Sequence, residues 1–490
     1  MASQTRRVHH QVTFAVLAAA VAAYALLQSL VTPVLSTIAV DLHTTQNTVT
    51  WVLTAYLLSA SIFTPIMGRI GDMIGKERVF VATLIALSAG SLLAALATNV
   101  QVMIVARVIQ GIGGGVLPLA FGIIRDEFPK EKLNGAVGAI ASLSAVGAGL
   151  GIVLAGPIVN ALDYHWLFWL PMILTVAAAL AAHFFVPESP VRTPGRISWL
   201  PAVLLSAWLV ALLVALSQAP VWGWGSGRVI GLLVGSVVLA AGWVRVELRA
   251  ATPLIDMKMM RLPAVWTNNL VALLIGIGMY AVFAFLPEFV QTPKSTGYGL
   301  GSSITQSGLI LLPASITMFF VGMGAGGMAR RVGAKALVVV GCLVGVVSMA
   351  ILAFAHDEKW ELYVSTAVMG VGFGLAFSAM SSLIVSAVPP EQTGVASGMN
   401  ANIRTIGGSI GAALMASIVT ANPAADGLPR ESGYTNGFAM LAGALVVAAF
   451  AAVLMPAGGR GRTRGGGTGQ PEHAESALLA GGTIVGDQPE

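Results

Sequence analysis

Three ionisable side chains interrupt long apolar runs of this sequence, namely those of Arg107, Glu288 and Arg404. An arginine at the centre of a membrane helix costs about 2.5 to 3.5 kcal/mol on insertion scales unless a partner compensates its charge. Each of these residues therefore needs a structural partner or a function. A carboxyl group such as that of Glu288 can take up and release a proton, so the chemistry available here is proton transfer within a membrane.

The surroundings of two of these residues leave alternatives open. Arg107 is either a functional cation or a structural residue that donates hydrogen bonds to carbonyls at a helix end. Glu288 follows Pro287, which could break the helix locally and let the carboxyl group face a cavity. Alternatively, Glu288 marks the point at which its helix reaches the outer water interface.

The overall composition excludes a soluble globular protein. Of the 490 residues, 56% are hydrophobic and 10% are charged, and the mean hydropathy is +0.84. These values are typical of an all-α integral membrane protein with many spans. The net charge of +5 does not indicate nucleic-acid binding, because the basic residues are scattered between apolar runs. The single cysteine, Cys342, excludes an internal disulfide and a thiol pair for a metal.

Apolar runs of about twenty residues predict the helices that must position these side chains. The predicted spans are fourteen, at 14–40, 50–67, 79–98, 101–124, 135–159, 166–187, 199–217, 228–246, 264–290, 304–329, 335–355, 362–386, 395–420 and 435–456.

The distribution of basic residues predicts the orientation of the chain. An even number of spans places both termini on the same side of the membrane. Twenty of the 26 Lys and Arg residues lie in the tails and in the turns from even-numbered to odd-numbered helices. The opposite loops hold four, which are Arg228, Lys294, Lys359 and Arg430. The positive-inside rule therefore predicts that both termini are cytoplasmic.

The stretch from Gly68 to Arg78 contains five charged residues and three glycines. It predicts a tight polar turn, facing water, between helices 2 and 3. Gly68, Asp72, Gly75, Lys76 and Arg78 resemble the turn after helix 2 in the major facilitator superfamily, whose pattern is G-x-x-x-D-x-x-G-[RK]-x-[RK]. The resemblance implies a conformational gate, in which Asp72 caps a neighbouring helix and the basic residues join the two halves of the bundle. The alternative is that these charges only orient the chain.

A repeat of this stretch supports the resemblance. Residues 326–335, between helices 10 and 11, have the same seven-residue glycine spacing. The resemblance implies a major facilitator fold, with two six-helix bundles and two additional inserted helices, as in the fourteen-helix drug:proton antiporter branch. The predicted division is a cytoplasmic N-terminal tail at 1–11, bundles at 12–190 and 262–456, a linker with the two inserted helices at 191–261, and a disordered cytoplasmic tail at 457–490.

Both buried arginines belong to segments that extend the resemblance. Arg107 opens a segment similar to the R-x-x-Q-G-x-G motif of the superfamily, which implies that this arginine faces the cavity and influences proton transfer. The segment from Asn400 to Gly408 is similar to the start of helix 13 in the fourteen-helix exporters. Arg404 lies near the inner third of that helix, which favours a role in a gate or in packing at the cytoplasmic end over direct contact with substrate.

Helix 5 resembles the glycine-rich motif that marks exporters in this superfamily. The matching residues are Gly147, Gly151, Gly156 and Pro157. The family usually places a proline directly after the glycine at 151, and here the proline comes later. Small residues at such spacings are also ordinary membrane packing, which is the alternative interpretation.

Helix 1 departs from the family pattern, because the acid of related exporters aligns with Leu27. The adjacent Gln28 is polar but cannot exchange a proton near neutral pH. Glu288 is therefore the best candidate for proton coupling, together with Gln28 and Arg107 in the transport site. Asp126 and Glu127 are expected to be charges of a cytoplasmic loop.

The function implied by the resemblance is proton-coupled efflux of hydrophobic or amphipathic drugs or antibiotics, by alternating access. The expected partners are a small organic substrate, protons and the lipid bilayer of the plasma membrane, and the expected transporter is a monomer without cofactor, metal or nucleotide. Glycine runs in helices 4 and 12 imitate a dinucleotide motif, but they neither follow a strand nor open a βαβ unit. The alternatives are a proton-coupled symporter that imports a small solute and a membrane-embedded enzyme, which would need a cluster of His or acid residues in facing helices.

Overall fold

The computed structural model describes residues 10–188, 199–250, 253–424 and 428–456. Every regular element in these ranges is helical, and fourteen of the helices are long and apolar enough to cross a membrane. The predicted all-α membrane fold and its number of spans are therefore confirmed. The spanning helices are α1 His10–Leu30, α2 Gln46–Ile74, α3 Lys76–Ala95, α4 Val100–Glu127, α5 Lys130–Ala161, α6 Trp166–Phe185, α7 Trp199–Trp222, α8 Gly227–Arg249, α9 Pro263–Gln291, α10 Ile304–Val332, α11 Ala334–Phe354, α12 Lys359–Ala387, α13 Thr393–Val419 and α14 Glu431–Val453.

The predicted tails lie outside the described residues, apart from His10 and Gln11 at the start of α1. Cys342 is buried in α11, as its apolar surroundings predict.

Two spans are interrupted where the sequence disfavours a continuous α-helix. After α1, a 3-10 turn at Thr32–Val34 leads into a short helix, Leu35–Asp41, because Pro33 has no amide hydrogen for the helical ladder. The prediction of one continuous helix over 14–40 is corrected accordingly. α4 passes through a 3-10 turn at Ile112–Gly115, whose glycines have a low preference for the α-helix.

The helices form two groups that meet along two seams. α1 to α6 pack on one another, and α9 to α14 do the same. The groups meet where α5 lies along α10 and where α2 lies along α13. α7 and α8 pack mainly on each other, and α7 also contacts α2 and α13. This is the predicted arrangement of two six-helix groups with two inserted helices.

Small residues permit the close approach of α5 and α10. A side chain at Gly149 would collide with the Ser315 hydroxyl, and one at Gly322 would collide with the Ser142 hydroxyl. The absence of a side chain at these positions lets the two helices pack closely. Close packing matters here because no hydrophobic force drives helices together within lipid.

The two ends of the bundle are named here by one residue each. The Lys76 end is the one at which α2 meets α3, and the Glu288 end is the opposite one, at which α9 ends.

Candidate functional site

A cavity of about 420 Å³ lies between the two groups of helices. α1, α2 and α5 line it from the first group, α9, α12 and α13 line it from the second, and α7 closes part of its side. A largely apolar cavity of this size suits a drug-sized organic molecule. Its aromatic lining residues are Tyr56, Tyr280, Phe283, Phe285 and Phe377.

α13 makes room for this cavity with a face of small residues. They recur at the spacing of one helix face, so the helix presents a wall with almost no side-chain bulk. A large side chain on this face would fill the space. The residues are Gly408, Ser409, Ala412, Ala413 and Ala416.

Arg404 lies in the wall of the cavity. Its side chain is buried, with 7% of the residue exposed, and its Cζ atom lies 4.2 Å from the centre of the Phe377 ring. Tyr280 and Tyr24 lie within electrostatic range of the guanidinium, and its Nε atom has no hydrogen-bond partner among the described residues. The expected position in a gate at the cytoplasmic end is therefore corrected, because Arg404 is eleven residues past Thr393, the start of α13, or about 16 Å along the helix.

Arg107 does not line the cavity in the described structure. It is fully buried, and its Nε donates a hydrogen bond of 3.2 Å to the Val52 carbonyl of α2. Its Nη1 donates one of 2.7 Å to Oε1 of Gln110, and its Cζ lies 4.4 Å from the centre of the Tyr56 ring. The implied cavity-facing position is corrected: Arg107 reaches the cavity only through Tyr56, and its bond to a helix carbonyl matches the structural alternative.

Gln28 lines the cavity from α1. Leu27, which aligns with the acid of related exporters, is fully buried and is not part of the described lining. None of the described lining residues of this cavity is acidic.

A second cavity of about 380 Å³, here called the vestibule, opens at the Glu288 end. It shares Thr32, Ile152, Phe283 and Ala284 with the central cavity, so the two cavities are adjacent. The vestibule thus lies between the central cavity and the Glu288 end.

Glu288 lines the vestibule and is exposed to it. The Tyr434 hydroxyl donates a hydrogen bond of 3.3 Å to its Oε1 atom. α9 continues through Pro287 to Gln291, so the predicted helix break is wrong. The carboxyl group faces the vestibule without that break.

Three charged side chains form a buried cluster at the Lys76 end. The Nζ atom of Lys76 lies 2.8 Å from Oδ2 of Asp126 and 3.6 Å from Oδ1 of Asp72, and each side chain is at most 1% exposed. The predicted turn between α2 and α3 is present at Gly75, but the prediction that Asp72 and Lys76 face water is wrong, as is that of Asp126 as a loop charge. α2 remains helical to Ile74, and pairing of opposite charges permits the burial.

Asp72 also faces the first turn of α13. A side chain at Gly394 would lie 3.1 Å from Oδ2 of Asp72, and the Val395 amide interacts with the carboxylate. A helix N-terminus carries partial positive charge, which offsets the second carboxylate of the buried cluster. Neither carboxylate oxygen of Asp72 has a hydrogen-bond partner among the described residues, so the capping role of Asp72 stays a prediction.

Direct contact between the two groups closes the Lys76 end. A side chain at Gly68 of α2 would come within 2.6 Å of the Gly394 carbonyl oxygen of α13. Arg125 of α4 donates to the Val385 carbonyl of α12 and, at 2.9 Å, to the Thr393 hydroxyl. Neither bond can persist if the two groups separate at this end.

Gly75 and Arg78 complete the predicted gate residues. Gly75 joins α2 to α3 with a φ of +127°, which residues with side chains rarely adopt, and a side chain there would meet the Glu188 carboxylate. Arg78 pairs with Glu188 at 3.2 Å, but its side chain is 67% exposed. A pair with that much exposure contributes little to stability.

A family model described as the Major Facilitator Superfamily matches residues 17–412. The chain belongs to the major facilitator superfamily. Its structure is similar to the crystal structure of the human organic anion transporter MFSD10 (TETRAN), with a TM-score of 0.65, over 92% of this chain and 99% of that chain. The sequence identity is 16%, so this likeness shows a shared fold.

The chain aligns over most of its length with two curated relatives. The "Multidrug resistance protein B homolog" of Mycobacterium tuberculosis is 28% identical over 395 residues, which are 78% of this chain and 71% of that protein. The "Tetracenomycin C resistance and export protein" of Streptomyces glaucescens is 27% identical over 400 residues, which are 81% of this chain and 73% of that protein.

The glycines that resemble the exporter motif of the superfamily serve two different helix contacts. Gly147 and Gly151 face α1, whereas Gly156 faces Thr305 of α10. α5 runs unbroken through Pro157 to its end. The motif therefore spans the contact of α5 with its own group and the seam with the other group.

Sequence reasoning did not identify the tyrosines around the two buried arginines. The chain has only seven tyrosines, and Tyr24, Tyr56 and Tyr280 each lie within an apolar run. A tyrosine in such a run needs a polar partner for its hydroxyl group, and this signal could have singled them out.

Proposed function

We propose that the protein is a secondary active exporter of hydrophobic or amphipathic organic compounds that works by alternating access. The observation that carries the proposal is the asymmetry of the two ends. α2 and α13 are in backbone contact at the Lys76 end, whereas the vestibule lies next to the central cavity at the Glu288 end. A transporter of this fold presents its site to one side of the membrane at a time.

The relatives support organic compounds as substrates and export as the direction. Their names describe multidrug resistance and the export of tetracenomycin C. The aromatic walls and the volume of about 420 Å³ support the same class of substrate.

In this proposal the protein lies in the plasma membrane with both termini and the Lys76 end in the cytoplasm, and one chain is the transport unit. The distribution of basic residues supports this orientation. Reporter fusions after Arg196 and after Arg261 should give cytoplasmic signals. An external signal at either position would contradict the orientation.

Protons supply the energy in this proposal, and Glu288 carries them. It is an acid in the vestibule that adjoins the cavity, and Tyr434 is its hydrogen-bond partner. Gln28 and Arg404 contact the substrate from the cavity wall. Arg107 acts as a positioning residue, because it holds the Tyr56 ring that lines the cavity.

Gly68, Asp72, Gly75, Lys76 and Arg78 form the cytoplasmic gate in this proposal. Asp72 and Lys76 belong to the buried cluster, and the glycines allow the helices to approach. The gate has to break and re-form in each transport cycle.

The test is the accumulation of a panel of dyes and antibiotics in cells with and without the protein, and with and without an uncoupler. We expect the protein to lower accumulation and the uncoupler to abolish this effect. Glu288→Gln should lose uphill export, because the amide cannot exchange a proton. Glu431→Gln is the matched control, since Glu431 lies at the same end and lines neither cavity.

Two outcomes would contradict parts of the proposal. Higher accumulation in cells with the protein would favour the importing symporter. Export that persists with the uncoupler would exclude proton coupling.

A further inference from the structure

Arg404 places a positive charge without a charged partner in the wall of the central cavity. It is 7% exposed, and it makes no ion pair in the part of the chain that the structure describes. The described lining of the cavity contains no other charged residue. A buried cation normally has a counter-charge close by.

The neighbours of Arg404 compensate its charge only in part. The face of the Phe377 ring, 4.2 Å from Cζ, attracts a cation but has no net charge. The Tyr280 hydroxyl is a hydrogen-bond partner of the guanidinium, and Tyr24 lies within electrostatic range. The Nε atom is buried and has no hydrogen-bond partner among the described residues, so these neighbours do not satisfy every donor of the guanidinium.

Arg107 adds to the positive potential of this region. Its guanidinium lies 4.4 Å from the centre of the Tyr56 ring, and that ring lines the cavity. The partners of Arg107, the Val52 carbonyl and Gln110, are neutral. The cavity therefore has one cation in its wall and another behind an aromatic ring.

The remaining walls suit a flat ring system. Tyr280, Phe283 and Phe377 line the cavity from α9 and α12. The neighbouring helix α13, whose Gly408 lies against the Tyr280 ring, adds small residues to the wall. A guanidinium binds a carboxylate or a similar planar anion through two parallel hydrogen bonds. Charge and shape thus point to the same kind of ligand.

We propose that the central cavity binds aromatic organic anions, in which an acidic group pairs with Arg404 and the ring system lies against Tyr280, Phe283 and Phe377. This inference rests on the proposed function, because it names the substrate class of the same site.

The test uses two xanthene dyes that share a tricyclic ring system and differ in charge. Fluorescein is an anion near neutral pH, and rhodamine 6G is a cation. Binding to the purified full-length protein in detergent is measured by fluorescence polarisation. We expect fluorescein to bind at least about tenfold more tightly than rhodamine 6G.

Variants of Arg404 separate charge from packing. Arg404→Gln should weaken fluorescein binding at least about tenfold, because the counter-ion is lost, while rhodamine 6G should bind as before or more tightly. Arg404→Lys retains the charge and should lose less affinity for fluorescein than Arg404→Gln. This second variant keeps the test valid if Arg404→Gln does not fold. Lys359→Gln removes one exposed positive charge outside the cavity lining and should change the affinity for neither dye.

The inference would be overturned if rhodamine 6G bound to the parent protein more tightly than fluorescein. It would also be overturned if folded Arg404→Gln lost the same affinity for both dyes. Accumulation of both dyes in cells distinguishes this failure from that of the proposed function. If the protein exports rhodamine 6G but not fluorescein, export is supported and the anion site is excluded. If the protein changes the accumulation of neither dye in cells but fluorescein binds selectively to the purified protein, the anion site is supported and export is not.

Discussion

Arg107 and Arg404 compensate the burial of a cation in different ways. Arg107 donates hydrogen bonds to Val52 and Gln110 and lies on the Tyr56 ring. Arg404 lies on the Phe377 ring, and each arginine has one buried nitrogen atom without a hydrogen-bond partner among the described residues. The first arginine therefore ties α4 to α2, and the second lies in the wall of the cavity.

Arg107→Met should destabilise the protein more than it weakens ligand binding. The substitution leaves Oε1 of Gln110 without its donor, and an unsatisfied buried polar group costs about 1–3 kcal/mol. We expect a lower Tm in detergent and a smaller loss of affinity for fluorescein than in Arg404→Met, because Arg107 lies behind the Tyr56 ring and not in the cavity wall. Arg404→Met should show the reverse pattern and serves as the comparison. An unchanged Tm combined with lost transport would instead support a role of Arg107 in proton transfer.

Lys76→Met should be strongly destabilising, because it leaves the carboxylates of Asp72 and Asp126 buried together. Removing one partner of a buried ion pair typically costs about 3–5 kcal/mol, so both Tm and export should fall. Adding Asp126→Asn to Lys76→Met should restore part of the Tm, since one uncompensated charge is removed. Arg78→Met is the control, with an expected effect of at most about 1 kcal/mol for an exposed pair. Equal losses in the single and double variants would exclude the buried cluster as the cause.

Charges inside apolar runs are visible in the sequence, which is why Arg107, Arg404 and Glu288 could be identified. The residues that surround them could not be predicted, because a hydropathy window does not show which face of a helix a residue occupies. The same window treats charges near helix ends as exposed to water. It could not show that Lys76 pairs with Asp126, which lies 50 residues away.

At the scale of elements, the seam of α2 and α13 determines which end is closed. Backbone contact at Gly68 and Gly394 brings the helices together at the Lys76 end. Farther along, Tyr56 of α2 and Arg404 of α13 both line the cavity, so the helices separate toward the Glu288 end. α7 lies against both helices and contributes Ser217 to the cavity wall.

Gly394→Leu should abolish export without preventing membrane insertion. Leucine favours the helix over glycine by roughly 1 kcal/mol, so any loss must come from packing against Gly68, where no side chain fits. Gly324→Leu is the matched control, because a side chain at that position of α10 would meet nothing within 4 Å. Both variants are compared by dye accumulation in cells and by the amount of protein in the membrane. Normal export by Gly394→Leu would mean that the cycle does not require this seam to close.

The elements were predicted better than their contacts. The apolar runs predicted all fourteen spans, since lipid requires long uninterrupted helices. The glycine pattern from Gly68 to Gly75 predicts a gate through family resemblance, and this role stays a prediction. The position of α7 in the cavity wall could not be predicted, because residues such as Leu216 and Ser217 are ordinary for any apolar helix.

At the scale of the whole molecule, the proposed function predicts that Glu288 couples the two ends. In the described conformation its carboxyl group faces the vestibule. Closing the vestibule removes water from this group, and burying an ionised carboxylate costs far more than burying a neutral group. Protonation should therefore favour the conformation that is closed at the Glu288 end, and a rigid movement of the two groups would then open the Lys76 end.

Spin labels can test this coupling, because the chain has a single, buried cysteine, Cys342. In a Cys342→Ser background, one exposed pair, Ile74 and Pro390, reports on the Lys76 end, and another, Thr45 and Thr420, reports on the Glu288 end. Glu288→Gln imitates the protonated carboxyl group, so the first distance should increase and the second should decrease. Glu431→Gln, at the same end but outside both cavities, should leave both distributions unchanged. Distances that change in the same sense, or that respond equally to both variants, would show that the charge of Glu288 does not control the exchange between the two conformations.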